Sequence, residues 1–166
     1  MPSTIEKFDS AGGFSVEKTI HIDELHNASN FNSLEIKNSF FTDSRVANYI
    51  LRGLSTSTLA LDDVGTLVPV DTNTLNFITG RIVATNPLGQ VFSAKFESTA
   101  SADATGNVTV LSTMKTIIKD DIPEGQEWNI TPLGSQNKFS YNTVISGTTN
   151  VIKWAVSTEI ISIEWQ

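Results

Sequence analysis

The chain has 166 residues, 18 acidic against 11 basic side chains for a formal net charge of −7, and no cysteine. That length fits one domain, or one domain and an arm, large enough to bury roughly 70% of its extended-chain surface without staples. The missing cysteines exclude thiolate zinc sites and thiol catalysis, and singly scattered Lys and Arg on an acidic chain argue against binding nucleic-acid phosphates.

The opening "MPSTIEKFDSAGG" has no basic flank leading into an apolar stretch, so no signal peptide is expected. No apolar window is long enough to cross a bilayer as a helix, and no membrane partner is expected. Up to about residue 54, turn-forming clusters ("DSAGG", "HNASNFNS", "KNSFFTDS") separate short apolar stretches. "SLEIK" alternates, with Leu34 and Ile36 on one face and Ser33, Glu35 and Lys37 on the other. Strands this short cannot build a core alone, so residues 1–54 read as an extended N-terminal arm that attaches to a partner or a neighbouring copy. Its apolar positions Phe14, Val16, Ile20, Leu34, Ile36, Phe40 and Phe41 are the candidate contacts. "DSRVANYILRG" admits a short helix capped by Asp43 or Ser44 and closed by Gly53, or a strand, which Val46, Tyr49 and Ile50 favour.

From residue 55 the pattern is β throughout. "STSTLALDD" and "GTLVPV" are short candidate strands, the second broken or edged by Pro69. "TLNFITGRIVAT" is apolar on both parities, with Leu75, Phe77 and Val83 on one and Ile78, Ile82 and Ala84 on the other. After the turn "NPLG", "QVFSAKFES" points Phe92, Ala94 and Phe96 inward. "VTVLSTMKTII", "EWNITPL", "NKFSYNTVIS" and the long "NVIKWAVSTEIISIEW" complete the series. In the last, Ile152, Trp154, Val156 and Ile160 share a parity, and the apolar set then moves to Ile161, Ile163 and Trp165. Side chains alternate strictly along a strand, so this switch predicts a bulge or a change of environment. A subunit interface at Ile161, Ile163 and Trp165 is the expected environment. The spacing of strands and turns predicts an all-β antiparallel β-sandwich, jelly-roll-like, over residues 55–166.

Catalytic signatures are few. "HIDELH" holds both histidines, His21 and His26. A zincin helix needs them at i and i+4. Their i, i+5 spacing separates the rings by about 140° on a helix and puts them on opposite faces of a strand. The plainer reading is a strand running into a turn. No nucleophile elbow, phosphate loop or dinucleotide fingerprint is present, and Asp62-Asp63 and Asp120-Asp121 fall in turns. No metal, cofactor or enzymatic activity is therefore expected. Trp128, Tyr141 and Trp165, if exposed together, could stack on sugars; the competing reading puts Trp128 and Trp154 in the core and Trp165 at a contact surface.

The stretch Ser55–Trp165 resembles a β-sandwich module of tailed-bacteriophage virion proteins, found in head decoration proteins, head fibres and tail-fibre tips. The residues that carry the resemblance are "TNTLNFITGRIVATN", "QVFSAKFES", "EWNITPL" and "NKFSYNTVISGTTNVIKWAVSTEI", with Trp128, Gly147, Ile152, Trp154, Val156 and Glu159 at the family's marked places. The resemblance implies a virion structural protein, assembled in the host cytoplasm. Its closest fit is a capsid decoration or cement protein that binds the major capsid protein or other virion proteins through its arm. Homotrimers are common in the family. The alternatives are a tail or baseplate component that binds host glycans, and a small carbohydrate-binding module or hydrolase unrelated to phages.

Overall fold

The computed structural model describes residues 14–16, 19–22, 28, 31 and 33–165. The chain divides into two compact units, Met1–Asn32 and Ser33–Gln166. In the first, β1 (Phe14–Val16) and β2 (Thr19–Ile22) pair antiparallel.

The second unit holds β3 (Ser33–Lys37), β4 (Ser44–Leu54), β5 (Val68–Pro69), β6 (Thr74–Thr85), β7 (Val91–Ala102), β8 (Val108–Asp120), β9 (Glu127–Ser135), β10 (Lys138–Ser146) and β11 (Lys153–Glu164). They form a six-stranded sheet in the order β3-β4-β11-β6-β7-β8 and a three-stranded sheet in the order β5-β10-β9. Every pairing is antiparallel. The all-β antiparallel sandwich expected from the sequence is what the chain forms.

The inward parity of the large sheet supplies Ala47, Tyr49 and Leu51 from β4, Trp154, Val156 and Ile160 from β11, Ile78 and Ile82 from β6, and Phe92 and Phe96 from β7. Trp128, Ile130, Phe139 and Tyr141 from the small sheet join them in one core. Tyr141 is its hinge point, stacked on Phe96 at 6.0 Å and edge-on to Phe139 at 5.2 Å, within the range of favourable ring pairs. Burial pushes the Tyr141 hydroxyl up to about 12, against a smaller opposing pull from the hydrogen bond donated by Thr158. Raised in the fold from 10.0, it keeps its proton where the unfolded chain loses it. Stability is therefore full below pH 10 and declines as pH rises towards 12, by a total of about 3 kcal/mol. Urea titrations from pH 9 to 12 should show this decline, and Tyr141→Phe should flatten it; an unchanged slope in that variant would sink the assignment.

Two expectations need correction. Residues 33–54, read as arm, belong to the compact sandwich unit: β4 pairs along its length with β11, and β3 with β4. The helix alternative at 43–53 falls with it, because Ala47, Tyr49 and Leu51 alternate inward as a strand requires. Of the two readings of the parity switch in β11 the bulge falls, since its register with β4 and β6 is unbroken, and the change of environment stands. Two polar side chains hold the inward parity instead: Thr158 meets the Tyr141 hydroxyl at 3.3 Å, and Ser162 donates to Asn76 at 2.5 Å. The apolar set changed face because the inside turned polar.

"STSTLALDD" is also not a regular strand. It bridges the two sheets, Thr58 pairing with Asn142 of β10 and Ala60 with Arg52 of β4, so its backbone donors and acceptors are divided between them. Leu59, between these bridges, is fully buried.

Candidate interaction surface

Directly opposed residues of antiparallel strands project to the same side of a sheet. Applied to the large sheet, this rule gives the outward face row by row. Ile36 faces Val46, Val46 faces Ile161, and Ile161 faces Phe77. The adjacent row sets Ile163 beside Leu75, and Leu34 lies one step the other way on β3, opposite Asn48. Ile161, Ile163 and Trp165 are 47%, 50% and 47% exposed. With Leu34, Ile36, Leu75 and Phe77, and with the half-buried Val46 of β4 between them, they make one apolar stripe across four strands.

The stripe gathers residues that the sequence assigned to two roles: Leu34 and Ile36 as arm contacts, and Ile161, Ile163 and Trp165 as an interface. Leu75 and Phe77 were visible only as the second apolar parity of β6. Their place follows from the β11–β6 register, which a single sequence does not reveal.

The other arm residues divide. Phe40 and Phe41 sit in the turn after β3, 89% and 66% exposed, where the Asn38 carboxamide oxygen accepts both backbone N–H groups. Phe14, Val16 and Ile20 have backbone places on β1 and β2, but their side chains lie outside the described residues. β3 is the terminal strand of the large sheet.

On the outward face Glu159 and Glu97 come next to the stripe, and beyond them Arg81 stands opposite both Ser157 and Lys95. Lys95 also bonds Glu97 at 2.7 Å. The acids at the sheet's end belong to the other side: Glu164 stands opposite the buried Thr74, and Asp71 pairs at 2.9 Å with Arg45, which stands opposite the buried Ser162.

The proposed sugar-stacking set does not assemble. Trp128 and Tyr141 are buried in the core, and the Trp128 indole donates to Gln126 at 3.2 Å. Trp165 alone of the three is exposed. An open groove of about 590 Å³ runs by Asp120, Glu124, Glu127 and Asn129. Beside it Lys115 bonds Asn129 at 3.0 Å and lies 5.3 Å and 5.6 Å from the Phe92 and Phe96 rings. Burial there lowers its affinity for a proton, with Asp120 opposing.

The acidic pairs shape turns. Asp62 accepts the backbone N–H groups of Val64 and Thr66, and bonds from Thr66 foremost hold its carboxyl below the usual range. Asp120 accepts from Ile122, and Asp121 pairs with Lys119 at 2.7 Å. His21 lies on β2 with its side chain outside the described residues, as is all of His26. Among the described residues no group of three or more His, Cys, Asp or Glu could hold a metal, and no helix is long and apolar enough to cross a membrane.

No protein-family model matches the chain. No curated protein matches it either. Among solved structures it is similar to a tailspike protein, gp49 from Acinetobacter baumannii bacteriophage Fri1, a capsular polysaccharide depolymerase. The TM-score is 0.39 and the identity 11%, over 93% of this chain and 25% of that one. The chain thus spans about a quarter of that protein's length, and a likeness at this level carries neither topology nor activity across.

Proposed function

We propose that the chain is a structural protein of a tailed-phage virion, acting by binding and not by catalysis. Within that class its role is decoration or cementing of the outer head surface, where it binds the major capsid protein or another shell protein. The observation that carries this reading is the rim formed by β3 and its following turn. A terminal strand offers main-chain donors and acceptors to an added strand, and Phe40 and Phe41 beside it offer two large apolar anchors. The sequence resemblance of Ser55–Trp165 to head and fibre modules supports the virion class. A glycan-binding tail component, the other role open to that class, has lost the Trp128 and Tyr141 platform on which it relied.

Immunogold labelling of purified particles of the encoding phage tests the placement. Label over the head is expected; label confined to the tail would replace decoration by the tail role, and unlabelled particles would end the virion reading. Changing Phe40 and Phe41 together to Ser should abolish attachment while leaving the sandwich folded, because both side chains lie outside its core. Removing residues 1–44 would not be a clean test, since it would strip β3 from the sheet. A cut after residue 32 leaves the second unit whole.

A further inference from the structure

We infer that a second copy of this chain covers the outward face of the large sheet, the two copies being related by a two-fold axis running across the strands at the apolar stripe. Two independent features support this occupant. The first is area. Seven large apolar side chains, each about half exposed and on the order of 200 Å² when fully open, present roughly 700 Å². That exceeds the largest apolar patch of a typical monomer, about 300–600 Å², and is close to the 800 Å² or so that each partner gives to a stable interface.

The second is charge. The rows of the outward face next to the stripe carry Glu159 and Glu97 with Arg81 and Lys95, two acids against two bases, and Lys95 bonds Glu97 at 2.7 Å. A chain of net charge −7 repels its copies over most of its surface; on this face the charges beside the stripe cancel. A two-fold across the strands sets stripe on stripe there. The contact is isologous and closes at two copies. It holds or fails in purified protein, whatever particle carries the chain.

Sedimentation equilibrium of the full chain tests it. A dimer is expected at micromolar concentration. Ile161→Lys and Phe77→Lys should each weaken it at least about a hundredfold, because each buries an unpaired charge at the centre of the contact. Their circular dichroism should be unchanged, since both side chains point out of the core. Arg81→Glu should weaken the dimer more modestly, and added salt should narrow the difference between Arg81→Glu and the parent. A monomer at every concentration would overturn the proposal, as would a trimer, or a dimer that Ile161→Lys and Phe77→Lys leave intact.

Discussion

Trp154→Ala is expected to destabilise the sandwich by about 3–5 kcal/mol, measured as a shift in urea midpoint at constant slope. The indole is 1% exposed and meets Phe92 edge-on at 6.1 Å. Its cross-strand neighbours are Gly53 on β4 and Ala84 on β6, small residues that make room for a large ring. Neither can move in to fill the space, so the cavity should persist and the cost lie at the upper end. Trp154→Phe should behave differently. Among the described residues the indole Nε1 is buried without a hydrogen-bond partner, and an unsatisfied donor costs about 1–3 kcal/mol. Phenylalanine gives up some packing but removes that donor, leaving a net loss of about 1 kcal/mol. A Phe variant as unstable as the Ala variant would show that the indole N–H is satisfied and stabilising in the native protein.

What could be read in advance follows from what a strand pattern encodes. Alternation names which side chains share a face, so the split of β6 into Ile78, Ile82 and Ala84 inside and Leu75, Phe77 and Val83 outside was legible. So were the inward Phe92, Ala94 and Phe96. Pairing is a different kind of information. That β11 lies between β4 and β6 depends on contacts between residues about a hundred positions apart, and no local rule fixes them. The arm boundary drawn at residue 54 failed for this reason: "SLEIK" and "VANYIL" look too short to stand alone, and they do not stand alone.

The β11 switch was ambiguous for another reason. Apolar parity stands in for burial only while the interior is apolar, and Ser162, Asn76 and Thr74 form a buried hydrogen-bonded group there. Such a group costs little once satisfied and leaves no periodic signature. Of the two explanations that the switch allowed, the bulge is excluded by the unbroken register and a change of environment remains. The candidate surface was therefore half legible: its members were named, and their convergence on one face was not.

The second large effect concerns two glycines that lie against residues of the opposite sheet. At Gly80 on β6 an added Cβ would stand 2.3 Å from the Tyr141 hydroxyl oxygen and 3.0 Å from the ring carbon bearing it. At Gly134 on β9 it would stand 2.2 Å from the Val108 carbonyl oxygen and 2.9 Å from its carbon. Both substitutions to Ala overpack the fold, at a typical cost of about 1–3 kcal/mol, but the obstacles differ in kind. The Tyr141 hydroxyl can be deleted: in a Tyr141→Phe background Gly80→Ala should recover most of its loss, a coupling of about 1–2 kcal/mol in a double-mutant cycle. The Val108 carbonyl is main chain inside β8, and no side-chain change removes it. Gly134→Ala should therefore cost about 3 kcal/mol or more, the upper limit of the usual range or beyond it, and Tyr141→Phe should leave that loss untouched. If Gly134→Ala unfolded at the parent's urea midpoint, Gly134 would not lie against the Val108 carbonyl. If Gly80→Ala and Tyr141→Phe proved additive, the hydroxyl would not be the obstacle, and Tyr141 would stand farther from β6 than its contact with Thr158 requires.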